Sequence, residues 1–137
     1  MDFLDTIKPG LIAEENDTVT DKNTAISLGS GGLAVFATPA MIALMEKAAL
    51  NAIAPCLPPG WSTVGTEVHI KHTAPTPVGM KVCTKAELLS IDGRNLYFKV
   101  EAFDETGIIG EGTHNRFIID EKKFMAKTES KKEPKAG

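Results

Sequence analysis

Residues 38–53 form the longest apolar segment of the chain, interrupted after its first residue only by Glu46, Lys47 and Asn51. The segment opens with Thr and Pro, which is typical of a helix start, because Thr can cap free backbone N–H groups and Pro is tolerated in the first turn. Lys47 and Asn51 are four residues apart and share one solvent-facing stripe. The pattern therefore predicts a largely buried helix that begins near residue 38 and ends before the proline at 55.

Four segments after this helix alternate between apolar and polar side chains, which predicts strands with one buried face each. Turns separate these strands, and the Asp92-Gly93 pair is a strong hairpin signal. A second turn covers residues 104–107, before a last strand over residues 108–119. The predicted inward faces of the first three strands are Val64, Thr66, Val68, Ile70 and His72; Met80, Val82, Thr84, Ala86 and Leu88; and Leu96, Phe98, Val100 and Ala102.

The part of the chain before the helix has a weaker pattern. Residues 1–16 are expected to form an irregular or strand-like lead-in, and the alternation at Thr24, Ile26 and Leu28 predicts one strand within residues 18–28. The run Gly29–Gly32 lacks a following Gly-Lys-Ser/Thr and the spacing of a dinucleotide fingerprint. We therefore interpret this run as a flexible connection that permits close backbone approach, and not as a phosphate cradle.

Regular one-faced strands and a single long apolar helix predict an α+β architecture, a curved antiparallel β-sheet wrapped around one long central α-helix. The expected organisation is one domain over residues 1–125, followed by a Lys-rich flexible tail over residues 126–137. One sheet with one helix leaves strand edges open, so a homodimer is expected, with a tetramer as the larger alternative.

The net charge of the 137 residues is −3, but six Lys and three Glu lie in residues 121–137, which leaves 9 − 15 = −6 for the rest. An acidic body argues against a nucleic-acid surface, because phosphate binding needs a positive one. No apolar run approaches the roughly 20 residues of a membrane span, so a cytoplasmic protein without membrane contact is predicted. Cys56 and Cys83 lack metal-ligand spacing, and we interpret them as reduced and structural; no metal or separate cofactor is expected.

Three polar residues stand at positions that suggest chemistry. His72 occupies the inward register of its predicted strand, Glu46 interrupts the apolar surface of the helix, and Thr38 lies at the positive helix N-terminus. Eight residues of helix separate Thr38 from Glu46 by about 12 Å, a gap that suits a small substrate group. Each residue has a structural alternative: Thr38 is only a cap, Glu46 pairs with a strand Thr or Arg116, and His72 is a satisfied structural histidine.

The remaining histidines are assigned differently. His69 is predicted to point outward with Glu67 and Lys71, and we interpret it as a surface residue. His114 and Arg116 share one face of the last strand, where they form either a cationic anchor for substrate or part of a salt bridge.

Three segments carry a family resemblance: ATPAMIALMEKAA, VGTEVHIKHTAPTPVGMKV and EGTHNRFIID. Over roughly residues 15–125 the chain resembles the small hotdog-fold acyl-CoA thioesterases related to fluoroacetyl-CoA thioesterase. In that family a Thr at the helix start, a Glu within the helix and a His on the following strand are catalytic, and they match Thr38, Glu46 and His72. The resemblance also implies a homodimer with acyl-CoA at the subunit boundary, and a glycine, Gly65 here, against the acyl group.

The expected activity is hydrolysis of a short or medium acyl-CoA to a free acid and coenzyme A. Glu46 acts as general base or nucleophile, assisted by His72 and Thr38, and the predicted substrate-binding residues are Gly65, Phe36 and Arg116. The fluoroacetyl-specific relatives carry gating aromatic residues where this chain has Gly29–Gly32, so the resemblance does not imply specificity for a fluorinated acyl group, and another short or medium acyl-CoA is expected. A non-catalytic acyl-CoA binding or sensing module and, less favoured, an enoyl-CoA hydratase or dehydratase on the same scaffold are the alternatives.

Overall fold

The computed structural model describes residues 2–134 and contains one antiparallel sheet with a long helix packed against it. The five strands are β1 (Ile12–Thr18), β2 (Trp61–His72), β3 (Lys81–Asp92), β4 (Asn95–Asp104) and β5 (Gly107–Asp120). The helices are α1 (Ala25–Leu28), α2 (Thr38–Ile53) and α3 (Glu121–Glu129), with 3-10 turns at Asp2–Thr6, Ala54–Cys56 and Ser130–Lys132. The strand order is β1-β3-β4-β5-β2, so β1 and β2 are the edges of the sheet.

Helix α2 confirms the central prediction, because it covers the predicted segment and is followed by a turn that contains the expected proline. Its solvent-facing stripe is also confirmed: Lys47 and Asn51 are exposed, and both contact Glu15 on β1, at 3.5 Å and 3.0 Å. The opposite side of α2 is buried against the sheet through Met41, Leu44, Met45, Ala48, Ala49, Ala52 and Ile53. This packing fixes the position of every polar side chain on the helix relative to the strands.

The three consecutive strands β3, β4 and β5 were well predicted by alternation. Two-residue turns join them, with Asp92 paired to Asn95 and Asp104 paired to Gly107 across the turns. The buried side chains of β3 and β4 lie on the predicted inward faces, and they are Val82, Thr84, Ala86, Leu88, Leu96, Phe98, Val100 and Ala102. Half-buried Met80 precedes the observed start of β3.

Strand β2 departs from the predicted alternation because of a β-bulge. The register against β5 shifts between Gly65 and Glu67, so Thr66 has no partner. Before the bulge, buried Thr63 faces α2, and the prediction that Val64 and Thr66 face inward is wrong. After the bulge, Val68, Ile70 and His72 face inward as predicted. A bulge adds one residue to a strand. The inward-facing residues are therefore odd-numbered before the bulge and even-numbered after it.

The segment predicted as a strand within residues 18–28 is wrong as well. Strand β1 lies earlier in the chain, and Thr24 caps the single turn α1, accepting a hydrogen bond from the backbone N–H of Ser27. The apolar side chains of this turn do not form a buried face, since Ile26 and Leu28 are 58% and 48% exposed. Gly29 ends α1 with a left-handed φ of 73°, a conformation that glycine adopts without strain.

Helix α3 crosses the predicted boundary at residue 125, so part of the predicted tail is helical. Asp120 caps this helix by accepting a hydrogen bond from the backbone N–H of Lys123. The division into a domain and a flexible tail stays a prediction, and residues 135–137 lie outside the described part of the chain. Among the helices of residues 2–134, none is long and apolar enough to cross a membrane.

Candidate active site

Thr38 does not cap α2, although the sequence suggested that role. Ala37 occupies the N-cap position and makes no side-chain cap hydrogen bond. The Thr38 hydroxyl Oγ1 instead lies 2.7 Å from Nδ1 of His72, which the inward register of β2 brings to the start of the helix. The first residue of α2 and the last residue of β2 are thus joined by a direct hydrogen bond.

His72 has one ring nitrogen committed and one uncommitted. Its Nε2 atom is the one buried side-chain nitrogen or oxygen atom of the described residues that makes no hydrogen bond. Burial lowers the pKa of His72, and a backbone group of Ala74 acts in the opposite direction. A neutral imidazole with an unused nitrogen can accept or donate a proton, which is the property that acid–base chemistry needs.

An open pocket of about 290 Å³ adjoins this pair. Phe36 lies in its wall and is 2% exposed, so its ring is fixed by packing. The other lining residues come from α1, the glycine-containing loop and the segment after β2: Ala25, Ser30, Val35, Thr73, Ala74 and Pro75. The pocket is large enough for a small organic group beside the Thr38 hydroxyl.

Glu46 lies in a second cluster, farther along α2. Its carboxylate Oε2 is 3.9 Å from Nη1 of Arg116, and its side chain is 42% exposed, whereas that of Arg116 is 7% exposed. A Cβ atom added to Gly65 would lie only 2.9 Å from the same Oε2 atom. Gly65 therefore leaves the room that the carboxylate occupies, and a pocket of about 290 Å³ opens beside it.

Arg116 and His114 are buried beneath this carboxylate. Arg116 donates from Nε to the Thr63 hydroxyl and from Nη2 to the Thr63 carbonyl, both at 2.8 Å. The Nδ1 atom of His114 lies 2.8 Å from the carbonyl oxygen of Glu67, which can only accept, so this nitrogen carries the proton. Nε2 of His114 then accepts from Nη1 of Arg116 at 3.2 Å.

Burial and neighbouring charges act on the pKa of both buried groups in the second cluster. Burial lowers the pKa of His114, and the charge of Arg116 lowers it further, against the opposing effects of the Glu67 carbonyl and Glu46. Burial also lowers the pKa of Arg116, while Glu46 raises it. A neutral His114 between a carbonyl and a guanidinium satisfies every polar atom of its ring.

The structure thus brings Thr38 and His72 together and leaves Glu46 in a separate cluster. No hydrogen bond or ion pair within residues 2–134 joins Glu46 to Thr38 or to His72. Of the two possibilities predicted for Arg116, the salt bridge is the one observed, and its role in substrate binding stays a prediction. His69 is exposed and pairs with Glu67 at 3.0 Å, as expected for a surface residue.

Thr63 is the site residue that sequence reasoning missed, since it was assigned to the outer face. The signal that could have found it is the glycine in mid-strand at position 65, because an isolated glycine in a strand often marks a bulge or a close backbone approach. Both apply here. The described residues also contain no group of three His, Cys, Asp or Glu side chains arranged to hold a metal ion.

Comparison with known proteins first defines the class. A hot-dog-like protein from Thermanaerovibrio acidaminovorans superposes with a TM-score of 0.88 at 20% identity, over 98% of this chain and 100% of that one. A solved structure of the fluoroacetyl-CoA thioesterase FlK superposes with a TM-score of 0.86 at 38% identity, over 93% and 98% of the two chains. The sheet and the central helix are therefore a hotdog fold.

The sequence comparisons then define the family. The family model FlK, described as fluoroacetyl-CoA-specific thioesterase, matches residues 19–122. The fluoroacetyl-CoA thioesterase of Streptantibioticus cattleyicolor is 47% identical over 97 residues, which are 71% of this chain and 70% of that protein. The chain belongs to this thioesterase family, and it is a hydrolase of thioesters.

Proposed function

We propose that this protein hydrolyses the thioester of a short or medium acyl-CoA, with Glu46, His72 and Thr38 as its catalytic residues. Glu46 takes a proton from the water that attacks the thioester carbonyl, or attacks that carbonyl itself to form an anhydride that water then hydrolyses. In both routes the C–S bond breaks and coenzyme A leaves as the thiolate. His72 assists the departure of the thiolate or orients the reacting groups. Thr38 hydrogen-bonds to the substrate or to the catalytic groups. Gly65 and Phe36 lie against the acyl group, and the protein acts in the cytoplasm without a separate cofactor.

The observation that carries this proposal is the 2.7 Å contact between the Thr38 hydroxyl and His72 at the rim of an open pocket. A hydroxyl in the first turn of a helix normally has backbone N–H groups close by, yet this one is committed to an imidazole. The remaining nitrogen of that imidazole has no partner. A buried polar atom without a partner is costly, and such costs are retained where they serve a function.

The environment of Glu46 suits a base or nucleophile. Arg116 lies at 3.9 Å, close enough to hold the carboxylate by charge but too far to occupy its lone pairs with a hydrogen bond. With 42% of the side chain exposed, these lone pairs remain available to a water molecule or a carbonyl carbon. The ion pair therefore orients the carboxylate without blocking it.

The separation of the Thr38 and His72 pair from the cluster that contains Glu46 supports a homodimer with the substrate at the subunit boundary. Strand β2 has a free edge, and Val68 on its inward face is 42% exposed. Antiparallel pairing of two β2 edges about a twofold axis between Val68 and His69 would set Gly65 opposite the partner subunit's His72. In that register the Glu46 of one subunit meets the Thr38 and His72 pair of the other.

The loop before α2 supports an acyl group other than fluoroacetyl. Gly29–Gly32 supplies no side chain beyond that of Ser30, and Leu33 next to it is 71% exposed. A loop without large side chains leaves more room above the Thr38 pocket for a longer acyl chain. A panel of acyl-CoA thioesters from acetyl to decanoyl, with fluoroacetyl-CoA included, tests this by the release of free thiol.

The decisive experiment compares the wild type with Glu46→Gln on the best substrate of that panel. We expect turnover to fall by about a hundredfold or more, the scale of a positioned base, with the fold retained in thermal unfolding. A Gln variant that turns over at the wild-type rate would overturn the assignment of Glu46. Hydration of crotonyl-CoA is measured in parallel, and binding without any turnover would identify the non-catalytic module instead.

A further inference from the structure

A buried polar chain lies beneath Glu46, and the proposed reaction does not use it directly. Arg116 is 6% exposed and His114 is 1% exposed, on a face of the sheet whose other buried side chains are uncharged. Burying a guanidinium costs free energy unless its donors are satisfied. Here two of its nitrogens bond to Thr63, and the third, Nη1, bonds to His114 and faces the carboxylate.

We propose that Arg116 and His114 are positioning residues that hold the Glu46 carboxylate in its working orientation, an inference that rests on the proposed role of Glu46. The two hydrogen bonds to Thr63 fix the plane of the guanidinium, because its fork of donors is rigid. The hydrogen bond to His114 fixes the remaining rotation. As a result Nη1 presents its positive charge at one point, 3.9 Å from Oε2 of Glu46.

His114 serves this arrangement only as a neutral acceptor. Its proton is on Nδ1, bonded to the carbonyl of Glu67, so Nε2 is free to accept from Arg116. An imidazolium would offer a donor to another donor and place a second positive charge beside the guanidinium. Burial and the charge of Arg116 both lower the pKa of His114 and keep the ring neutral.

The test uses variants that separate hydrogen-bond geometry from bulk. Arg116→Lys keeps the charge and loses the fork, and His114→Leu keeps an apolar volume and loses both hydrogen bonds. His114→Gln retains one donor for Glu67 and one acceptor for Arg116. Lys99→Gln is the control, because Lys99 is exposed on the opposite face of the sheet, on β4 and away from the β2 edge.

We expect R116K and H114L to lower kcat on the order of tenfold to a hundredfold, the scale of a displaced reacting group, and to change KM much less than kcat, because the proposed role acts through the carboxylate. H114Q should stay within about threefold of the wild type and K99Q should equal it. In an E46Q background, R116K and H114L should lower the residual rate no further, because they act through a carboxylate that is already absent.

Two results would overturn the inference. One is a wild-type kcat for R116K and H114L while E46Q is inactive, which leaves the proposed function standing and removes only the positioning role. The other is an equal loss of rate in the wild-type and E46Q backgrounds, which indicates a structural effect independent of the carboxylate. A fully active E46Q would remove both the proposed role of Glu46 and the reason to position it.

Discussion

Gly65 shows how one missing side chain defines the position of a reactive group. A Cβ at this position would lie 2.9 Å from Oε2 of Glu46 and 3.2 Å from Cε1 of His114. The carboxylate ends a flexible side chain and can move away, so the fold should accept the change. We expect Gly65→Ala to lower kcat on the order of tenfold to a hundredfold, because a displacement near 1 Å is enough to misalign the reacting atoms. Thiol release and thermal unfolding measure the two effects.

Gly112 provides the control for this substitution on the neighbouring strand. A Cβ at Gly112 would fall on the backbone carbonyl of His69, which cannot move away. Gly112→Ala should therefore lower the melting temperature far more than Gly65→Ala does. If Gly65→Ala retained the wild-type kcat, Glu46 would not depend on the space at Gly65.

At the scale of residues, the sequence revealed which side chains are unusual but not what they contact. Glu46 and His72 could be recognised because each interrupts an apolar pattern. Their partners could not, since Thr38 had an ordinary explanation as a helix cap, and its bond to His72 depends on where β2 ends. Thr63 is one of many strand threonines, and only the three-dimensional position of Arg116 distinguishes it.

At the scale of elements, the bulge in β2 allows both halves of the strand to contribute inward-facing site residues. Gly65 lies before it, opposite Arg116, and Val68 lies after it, opposite His114. Deletion of Thr66 leaves these pairings intact and makes the strand regular. We therefore expect the deletion to lower the melting temperature by only a few degrees, the equivalent of about 1 kcal/mol for the lost hydrogen bond to Asn115.

Deletion of His69 is the matched comparison, because it also removes one exposed residue from β2. Without a surplus residue at that point, the strand must turn either Val68 or Ile70 outward, or Glu67 inward. Thermal unfolding should show a much larger loss than the Thr66 deletion gives. Similar losses for both deletions would mean that the bulge itself stabilises the strand.

Elements whose ends carry clear sequence signals could be predicted, and elements without such signals could not. Helix α2 has a Thr-Pro start and a proline after its end, and the turns between β3, β4 and β5 carry Asp and Gly. Residues 24–28 have an alternation that fits a strand and a capped helical turn equally well. The exposure of Ile26 and Leu28 decides against the strand, and burial of this kind is a property of the folded chain.

At the scale of the whole molecule, the separation of Glu46 from the Thr38 and His72 pair bears on the proposed dimer. Thr38 and Glu46 lie about 12 Å apart along one rigid helix, and small rearrangements cannot close that gap. The proposed dimer places the thioester group between Glu46 of one subunit and the Thr38 and His72 pair of the other. Pairing of two β2 edges, as proposed, would cover an exposed strand edge and bring these residues together in the same step.

This arrangement predicts complementation between two inactive chains. Glu46→Gln and His72→Asn chains are co-expressed with different tags, and the heterodimer is isolated by both tags in turn. In the proposed dimer each site takes Glu46 from one subunit and His72 from the other. One site of the heterodimer therefore carries both substitutions and the other site carries none, so about half of the wild-type rate per dimer should return. Each homodimer, reassembled with two tags, is the control and should stay inactive. An inactive heterodimer would show that each site lies within one chain, and failure to isolate a heterodimer would contradict the dimer itself.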